Sequence, residues 1–192
     1  LGMLTIRDTY SMTFPNLTVK EIFADYYYEL QRLGGADKYA PFFRKFLEDH
    51  DLRGLFAGYW EAYISQIPAQ AFDKMNENFF RITFFELCSR YLRDKFTFGI
   101  EVNYPSGRSD WEMLGKRESG FDNRKWLLEF KYYTNTDGIK QKILDLEQPG
   151  REELNQITAY EKDILARYPE YTITKAVIYV VGNKGFKYFP VE

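Results

Sequence analysis

Apolar side chains recur every three to four residues through the first third of the chain, a period that is typical of amphipathic helices. A first helix is predicted to begin at Thr18, where Thr18 and Glu21 form a capping-box pattern, and to end at Gly34. Many of the apolar positions that follow are aromatic, and at this spacing they predict packing rather than a stacking surface for bases. Further helices are predicted after Pro41, over residues 52–66 and over residues 70–95.

After residue 95 the pattern changes to short β-type runs separated by turn residues. Turns at residues 105–107 and 120–123 allow the first three strands to form an antiparallel meander. A helix over residues 151–168 precedes the fourth strand, and a strand reached through a crossover helix normally runs parallel to its neighbour. The predicted strands cover residues 96–103, 108–114, 125–132, 175–181 and 186–189.

These elements predict an α/β fold in which helices flank a mixed β-sheet. A chain of 192 residues can hold one such domain with a smaller appendage. The sheet and its helices are expected to form a core over residues 70–192. Residues 1–69 are expected to form a helical subdomain, or a linker, that joins this core to an upstream module.

The composition is typical of a soluble globular protein, with 45% hydrophobic residues and interspersed charges of both signs. The single cysteine, Cys88, lies in an apolar stretch of a predicted helix, so the chain has no disulfide framework and a cytoplasmic setting is expected. The longest apolar run, residues 176–182, is much shorter than the roughly 20 residues of a membrane span. No membrane association is therefore expected.

The formal net charge is −2, so the chain has no overall positive field to attract nucleic acid. Binding of nucleic acid would have to depend on a local cluster of basic residues near the predicted sheet. Acidic residues are interleaved with the candidates, so scattered solvated charges are an equal alternative. The candidates are Arg108, Lys116, Arg117, Arg124, Lys125, Lys140, Lys142 and Arg151.

Several common catalytic sites are excluded by the sequence. It contains no Gly-rich phosphate loop, no GxGxxG motif, and no CxxC or HExxH motif. The only histidine, His50, lies in a polar segment far along the chain from Cys88, which argues against a nucleophilic Cys-His or Ser-His-Asp site. Carboxylates are the remaining candidates for chemistry.

Three charged residues are predicted to meet on one patch of the meander. Asp110 lies early in the second strand and Glu129 late in the third, so antiparallel pairing brings them together. Residues i and i+2 share a strand face, so Lys131 points the same way as Glu129. Unpaired charges on this apolar strand would be costly without partners or a metal ion. The alternative is a solvated strand face, which predicts no binding of divalent ions.

The segment Gly107-Arg108-Ser109-Asp110, followed 19 residues later by Glu129-Phe130-Lys131, resembles the core of the PD-(D/E)xK nucleases. Gln156 and Tyr160 on the predicted crossover helix match the Gln-x-x-x-Tyr motif of the RecB-like branch of that superfamily. Residues 4–6, 14–16 and 77–80 are similar to a nuclease-like domain that lies C-terminal to an AAA-ATPase-like domain in many bacterial proteins. The chain departs from the pattern in its longer segment 134–150 and in lacking an evident substrate-contacting histidine.

The resemblance implies a restriction-endonuclease-like fold and metal-dependent hydrolysis of phosphodiester bonds in nucleic acid, with DNA favoured over RNA. Asp110 and Glu129 would hold Mg²⁺ or Mn²⁺, helped by the Phe130 carbonyl, and Lys131 would orient the attacking water. An AAA-ATPase-like domain upstream in the full-length chain would be the protein partner.

The resemblance also implies that the long helix supplies a further carboxylate to the metal site. Glu77 and Glu86 are the two candidates, and Glu101 on the first strand is a third with lower weight. The sequence does not decide between them.

A catalytically silent module is the second function that this fold could have. Such a module would dock nucleic acid or protein for the ATPase-like domain without cutting anything. The presence of Asp110, Glu129 and Lys131 together favours the enzyme.

Overall fold

A computed structural model describes residues 5–8, 11–13, 37–134 and 139–192. The chain divides into two compact units, residues 1–41 and residues 42–192. In the first unit, strands β1 (Thr5–Asp8) and β2 (Ser11–Thr13) form an antiparallel pair. The helix predicted from Thr18 to Gly34 lies outside the described residues.

The second unit is built on a five-stranded sheet with the strand order β3-β4-β5-β6-β7. Strands β3, β4 and β5 form the predicted antiparallel meander, β5 and β6 run parallel, and β7 returns antiparallel to β6. The predicted mixed sheet is therefore confirmed. The strands are β3 (Phe96–Tyr104), β4 (Gly107–Gly115), β5 (Arg124–Tyr133), β6 (Thr172–Val181) and β7 (Gly185–Val191).

The described helices are α1 (Ala40–Asp49), α2 (Leu52–Ala62), α3 (Glu77–Leu92), α4 (Ile139–Leu144) and α5 (Arg151–Arg167), with 3₁₀ turns at Ile64–Gln66 and Ala69–Lys74. The predicted continuous helix over residues 70–95 is wrong, because α3 begins only at Glu77. The Asn76 side chain caps it by accepting a hydrogen bond from the Phe79 backbone N–H at 3.3 Å. Helix α4 was not predicted. None of the described helices is long and apolar enough to cross a membrane.

Aromatic side chains fill the space between one face of the sheet and helices α1, α2 and α3. Phe46 of α1 packs edge-on against Trp126, with ring centroids 5.8 Å apart, and Phe56 of α2 lies 5.9 Å from Phe130. The boundary predicted at residue 69 therefore differs from the observed division at residue 41, because α2 and most of α1 bury their aromatic faces on this sheet.

Helix α5 covers the opposite face of the sheet. Its Ile157, Tyr160 and Ile164 join a buried cluster with Leu127 and Val177 of the central strands. Side chains alternate along a strand, so Glu129 shares the face of Leu127 and lies on the α5 side. Since both faces of β5 are covered, Glu129 is buried, with only 3% of its surface exposed.

Candidate active site

The pairing of β4 with β5 stops just before Asp110 and Glu129. Trp111 and Leu128 form the last pair of this ladder, and the next position in the same register would place Asp110 opposite Glu129. Strand β5 continues to pair with β6 beyond this point, so the sheet remains closed on that side of β5. The Phe130 backbone N–H, which lies beyond the last ladder pair of β4 and β5, donates a 2.8 Å hydrogen bond to the side-chain Oδ2 of Asp110. Asp110 and Glu129 thus lie at the same point of the hairpin, close enough for the charge of Asp110 to raise the pKa of Glu129.

Asp110 is held by a second donor from helix α3. Its Oδ1 accepts a 2.7 Å hydrogen bond from Nη1 of Arg81, whose side chain is also buried. Arg81 was not predicted from the sequence. The sequence could have indicated Arg81, because it is a cation among apolar positions of the helix. It also lies four residues after Glu77, and residues i and i+4 share a helix face.

Glu129 has no such support for one of its oxygens. Its Oε2 atom is buried and has no hydrogen-bond partner. Burial, followed by the negative charge of Asp110, raises the pKa of Glu129 to about 8. The Oε2 atom of this carboxyl group therefore lacks a donor.

Of the two helix glutamates, the structure brings Glu77 to the cluster and not Glu86. Burial raises the pKa of Glu77, and the nearby charge of Asp110 adds to that rise while Lys131 opposes it. Glu86 is exposed and pairs with Arg90 one turn further along the helix. Nine residues separate the two glutamates, which corresponds to about two and a half helical turns and places them on opposite faces of α3. Glu77 is therefore the helix carboxylate that can join the site.

Lys131 lies among carboxylates. Burial lowers the pKa of Lys131, but Glu77, Glu129 and two further carboxylates outweigh that effect, so the net pKa is raised above its usual value of 10.5. Lys131 therefore stays protonated at neutral pH, and its charge is directed at the acidic cluster.

Glu153 is another residue of this cluster that was not predicted from the sequence. It lies in the first turn of α5, and its charge contributes to the raised pKa of Lys131. The start of α5 reaches this position because the Gly150 backbone N–H donates a 2.7 Å hydrogen bond to the hydroxyl of Tyr179. Tyr179 is the cross-strand partner of Lys131 in the β5–β6 ladder.

Gln156 and Tyr160 are hydrogen-bonded to each other on α5, with 2.6 Å between Gln156 Nε2 and the Tyr160 hydroxyl oxygen. The Tyr160 hydroxyl donates in turn to the Arg108 carbonyl oxygen at 2.8 Å. The Tyr160 ring is buried in the α5 cluster, so the residue is part of the core as well as a neighbour of the site. The pair ties α5 to the start of β4, two residues before Asp110.

The basic residues expected to bind nucleic acid are not gathered around the carboxylates. Lys116, Arg117, Arg124 and Lys125 lie at the opposite end of the β4–β5 hairpin, where Leu114 pairs with Lys125. Arg124 lies five positions before Glu129 on β5, a distance of about 17 Å along the strand. Several of these side chains are engaged locally, since Lys125 pairs with Glu112, Arg117 with Glu118, and Arg124 with His50.

Of the remaining basic candidates, two are close to the site. Arg108 precedes Asp110 by two residues and pairs with Glu101, and Arg151 begins helix α5 two residues before Glu153. Lys142 is exposed on α4, and the side chain of Lys140 is not described.

The carboxylates suit a hard divalent cation such as Mg²⁺ or Mn²⁺. Among the described residues, no three His, Cys, Asp or Glu side chains form a group arranged to hold a metal ion. Mg²⁺ is commonly bound through only one or two carboxylates, however, and keeps several waters. Asp110 and Glu129 meet this requirement, and the partnerless Oε2 of Glu129 would gain the positive charge that it lacks.

A family model described as the PD-(D/E)XK nuclease superfamily matches residues 75–189, which is more than half of the chain. The matched region runs from just before α3 into β7, so it contains the whole acidic cluster. No curated protein and no solved structure matches the chain. The chain therefore belongs to the PD-(D/E)XK nuclease superfamily.

Proposed function

We propose that this chain is a divalent-metal-dependent nuclease that hydrolyses phosphodiester bonds in DNA. The observation that carries the proposal is the opening between β4 and β5, where Asp110 and Glu129 meet, Lys131 follows on the same strand face, and a buried Glu129 oxygen has no partner. Superfamily membership supports the reaction class. The choice of DNA rests on the resemblance alone.

Each residue of the site has a role that follows from its surroundings. Asp110 and Glu129 would hold Mg²⁺ or Mn²⁺, with Glu77 beside them, and the Phe130 carbonyl is the proposed additional ligand. A bound ion of this kind would lower the pKa of a bound water and stabilise negative charge on the phosphate. Because its pKa is raised, Lys131 would act as a fixed cation and donor toward the water or the phosphate rather than as a base.

The pair Gln156 and Tyr160 is proposed to hold the start of β4 in place and, through it, Asp110. Arg108 and Arg151 are the proposed phosphate contacts, since Arg108 lies two residues before Asp110 and Arg151 lies two residues before Glu153, whose charge acts on Lys131. An AAA-ATPase-like domain is proposed upstream of this chain in the full-length protein, and a cytoplasmic setting is proposed with it. The first proposal rests on the resemblance of the sequence, and the second rests on its lone, buried Cys88.

The test is cleavage of labelled single-stranded and duplex DNA and RNA by the purified chain in Mg²⁺, Mn²⁺ or EDTA. We expect cutting of DNA that EDTA abolishes and that Lys131→Met reduces by about 10² or more, as for loss of one electrostatic contact to developing charge. Lys162→Met, which removes an exposed lysine of α5, is the matched control and should cut like the wild type. Cutting by Lys131→Met at the wild-type rate would contradict the proposed site.

A silent binding module is a second candidate function, and one observation favours it. Both oxygens of Asp110 already accept hydrogen bonds from the protein, one from Arg81 and one from the Phe130 backbone. This function predicts binding of duplex DNA in Ca²⁺ together with no cutting of any substrate in Mg²⁺ or Mn²⁺. Metal-dependent cutting that Lys131→Met abolishes would rule it out.

A further inference from the structure

Arg81 is a buried cation whose guanidinium is shared between three side chains. Its Nη1 donates to Oδ1 of Asp110 at 2.7 Å, and its Nη2 donates to Glu101 at 2.7 Å and to Asn78 at 2.8 Å. The side chain is 9% exposed and Asp110 is 11% exposed, so solvent screens this ion pair only weakly. Arg81 is therefore held in a defined position beside the proposed metal ligand.

The surroundings of Arg81 explain why a cation is needed there in the protein without metal. Asp110 lies close enough to Glu129 and Glu77 to raise the pKa of each, so three acidic groups share a mostly buried region. Arg81 and Lys131 supply the positive charge that this region otherwise lacks. Removing one partner of a buried ion pair leaves an uncompensated charge, which is strongly unfavourable.

The same contact works against a metal ion at Asp110. Oδ1 of Asp110 faces the guanidinium of Arg81, and Oδ2 accepts from the Phe130 backbone N–H. A divalent ion that approaches either oxygen meets a fixed positive charge a few ångströms away, and like charges repel strongly where solvent is excluded.

We propose that Arg81 is the resident counter-ion of Asp110 and competes with the divalent ion for that carboxylate, so that it limits the metal affinity of the site. This inference rests on the proposed function, since it assumes that Asp110 and Glu129 bind a metal. Arg81 is a positioning residue in this scheme: it keeps Asp110 in place before the metal arrives and weakens metal binding when the metal is present.

The test is direct binding of Mn²⁺, without nucleic acid, to the wild type, Arg81→Gln and Arg90→Gln. We expect Arg81→Gln to bind Mn²⁺ at least about tenfold more tightly, which is the factor for removing a unit charge roughly 5 Å from a divalent ion even at the dielectric constant of water. Arg90→Gln is the matched control on the same helix, because Arg90 pairs with the exposed Glu86, and it should bind like the wild type.

Thermal unfolding provides a second readout that does not depend on cleavage. In EDTA, Arg81→Gln should melt at a lower temperature than the wild type, and saturating Mn²⁺ should raise its melting temperature by more than it raises that of the wild type. If Arg81→Gln is unfolded in EDTA, recovery of its helical circular dichroism signal on addition of Mn²⁺ supports the proposal, and failure to recover overturns it. Arg81→Lys retains the charge and should bind Mn²⁺ within a few-fold of the wild type.

The outcomes separate this inference from the proposed function. If the wild type binds Mn²⁺ and Arg81→Gln binds it equally or more weakly, the competition is wrong while the nuclease proposal stands. If neither protein binds Mn²⁺ and the wild type cuts no nucleic acid, both proposals fail together.

Discussion

Replacement of Glu129 by glutamine should change how the stability of the metal-free protein depends on pH. The pKa of Glu129 is about 8 in the folded protein, against an ordinary value of 4.5. Between these values the folded protein holds a proton that the unfolded chain releases, so the free energy of unfolding falls as the pH rises from about 4.5 to about 8. Glutamine resembles the neutral acid in shape and does not titrate, so Glu129→Gln should lose this dependence.

The two pKa values set the size of the effect. One proton gives a slope of at most about 1.4 kcal/mol for each pH unit, and over a gap of about 3.5 pH units the total is on the order of 5 kcal/mol. This total is an upper limit, because Glu77, whose pKa is also raised, is coupled to Glu129 and shares part of the shift. We therefore expect the glutamine variant to match the wild type near pH 5 and to be more stable by a few kcal/mol at pH 8.

Urea unfolding in EDTA at intervals between pH 5 and pH 8.5 measures this difference directly. Glu48→Gln, at an exposed position of α1, is the control and should give a difference that does not change with pH. The reasoning would be refuted if the difference in free energy of unfolding between the wild type and Glu129→Gln did not change from pH 5 to pH 8.

Three further predictions concern the surroundings of the site. Tyr160→Phe removes the hydrogen bond to the Arg108 carbonyl and should lower the free energy of unfolding, measured in urea, by about 1 kcal/mol. It should also lower cleavage, and unchanged cleavage would show that the residue is only part of the core. Gln156→Ala should lower cleavage with little change in melting temperature, whereas a large loss of stability with intact cleavage would make Gln156 structural. Binding of duplex DNA in Ca²⁺ should depend only weakly on salt, with a slope of log Kobs against log salt of about −2 to −4. Few basic residues lie near the carboxylates, and each phosphate contact contributes about 0.9 to the slope. A slope near −7 would show that the distant basic residues also bind.

The sequence by itself determined the strands and the meeting of Asp110 with Glu129. Each strand has an apolar run bounded by turn residues, and both signals are local. In an antiparallel hairpin the start of one strand faces the end of the next, so Asp110 and Glu129 are brought near each other by the turn between them. The start of α3 was also within reach, since Asn76 followed by Glu77 is a recognisable helix beginning.

Other features of the site depend on contacts between residues far apart in the chain. Arg81 and Asp110 are separated by 29 positions, and only the packing of α3 on the sheet brings the guanidinium to the carboxylate. The same packing selects Glu77 over Glu86, because the rotation of a helix about its axis is set by how its side chains fit the surface that it packs against. Sequence spacing shows that the two glutamates are on opposite faces but not which face meets the site.

Only the tertiary structure decided the distribution of charge. The basic residues are close in sequence to Asp110 and Glu129, yet Lys116 and Arg124 lie at the far end of the hairpin. An extended strand adds about 3.3 Å for every residue, so a few positions along β5 become a large distance in space. The burial of Glu129 is likewise a property of the assembled fold, because it requires α5 on one face of the sheet and the aromatic layer on the other.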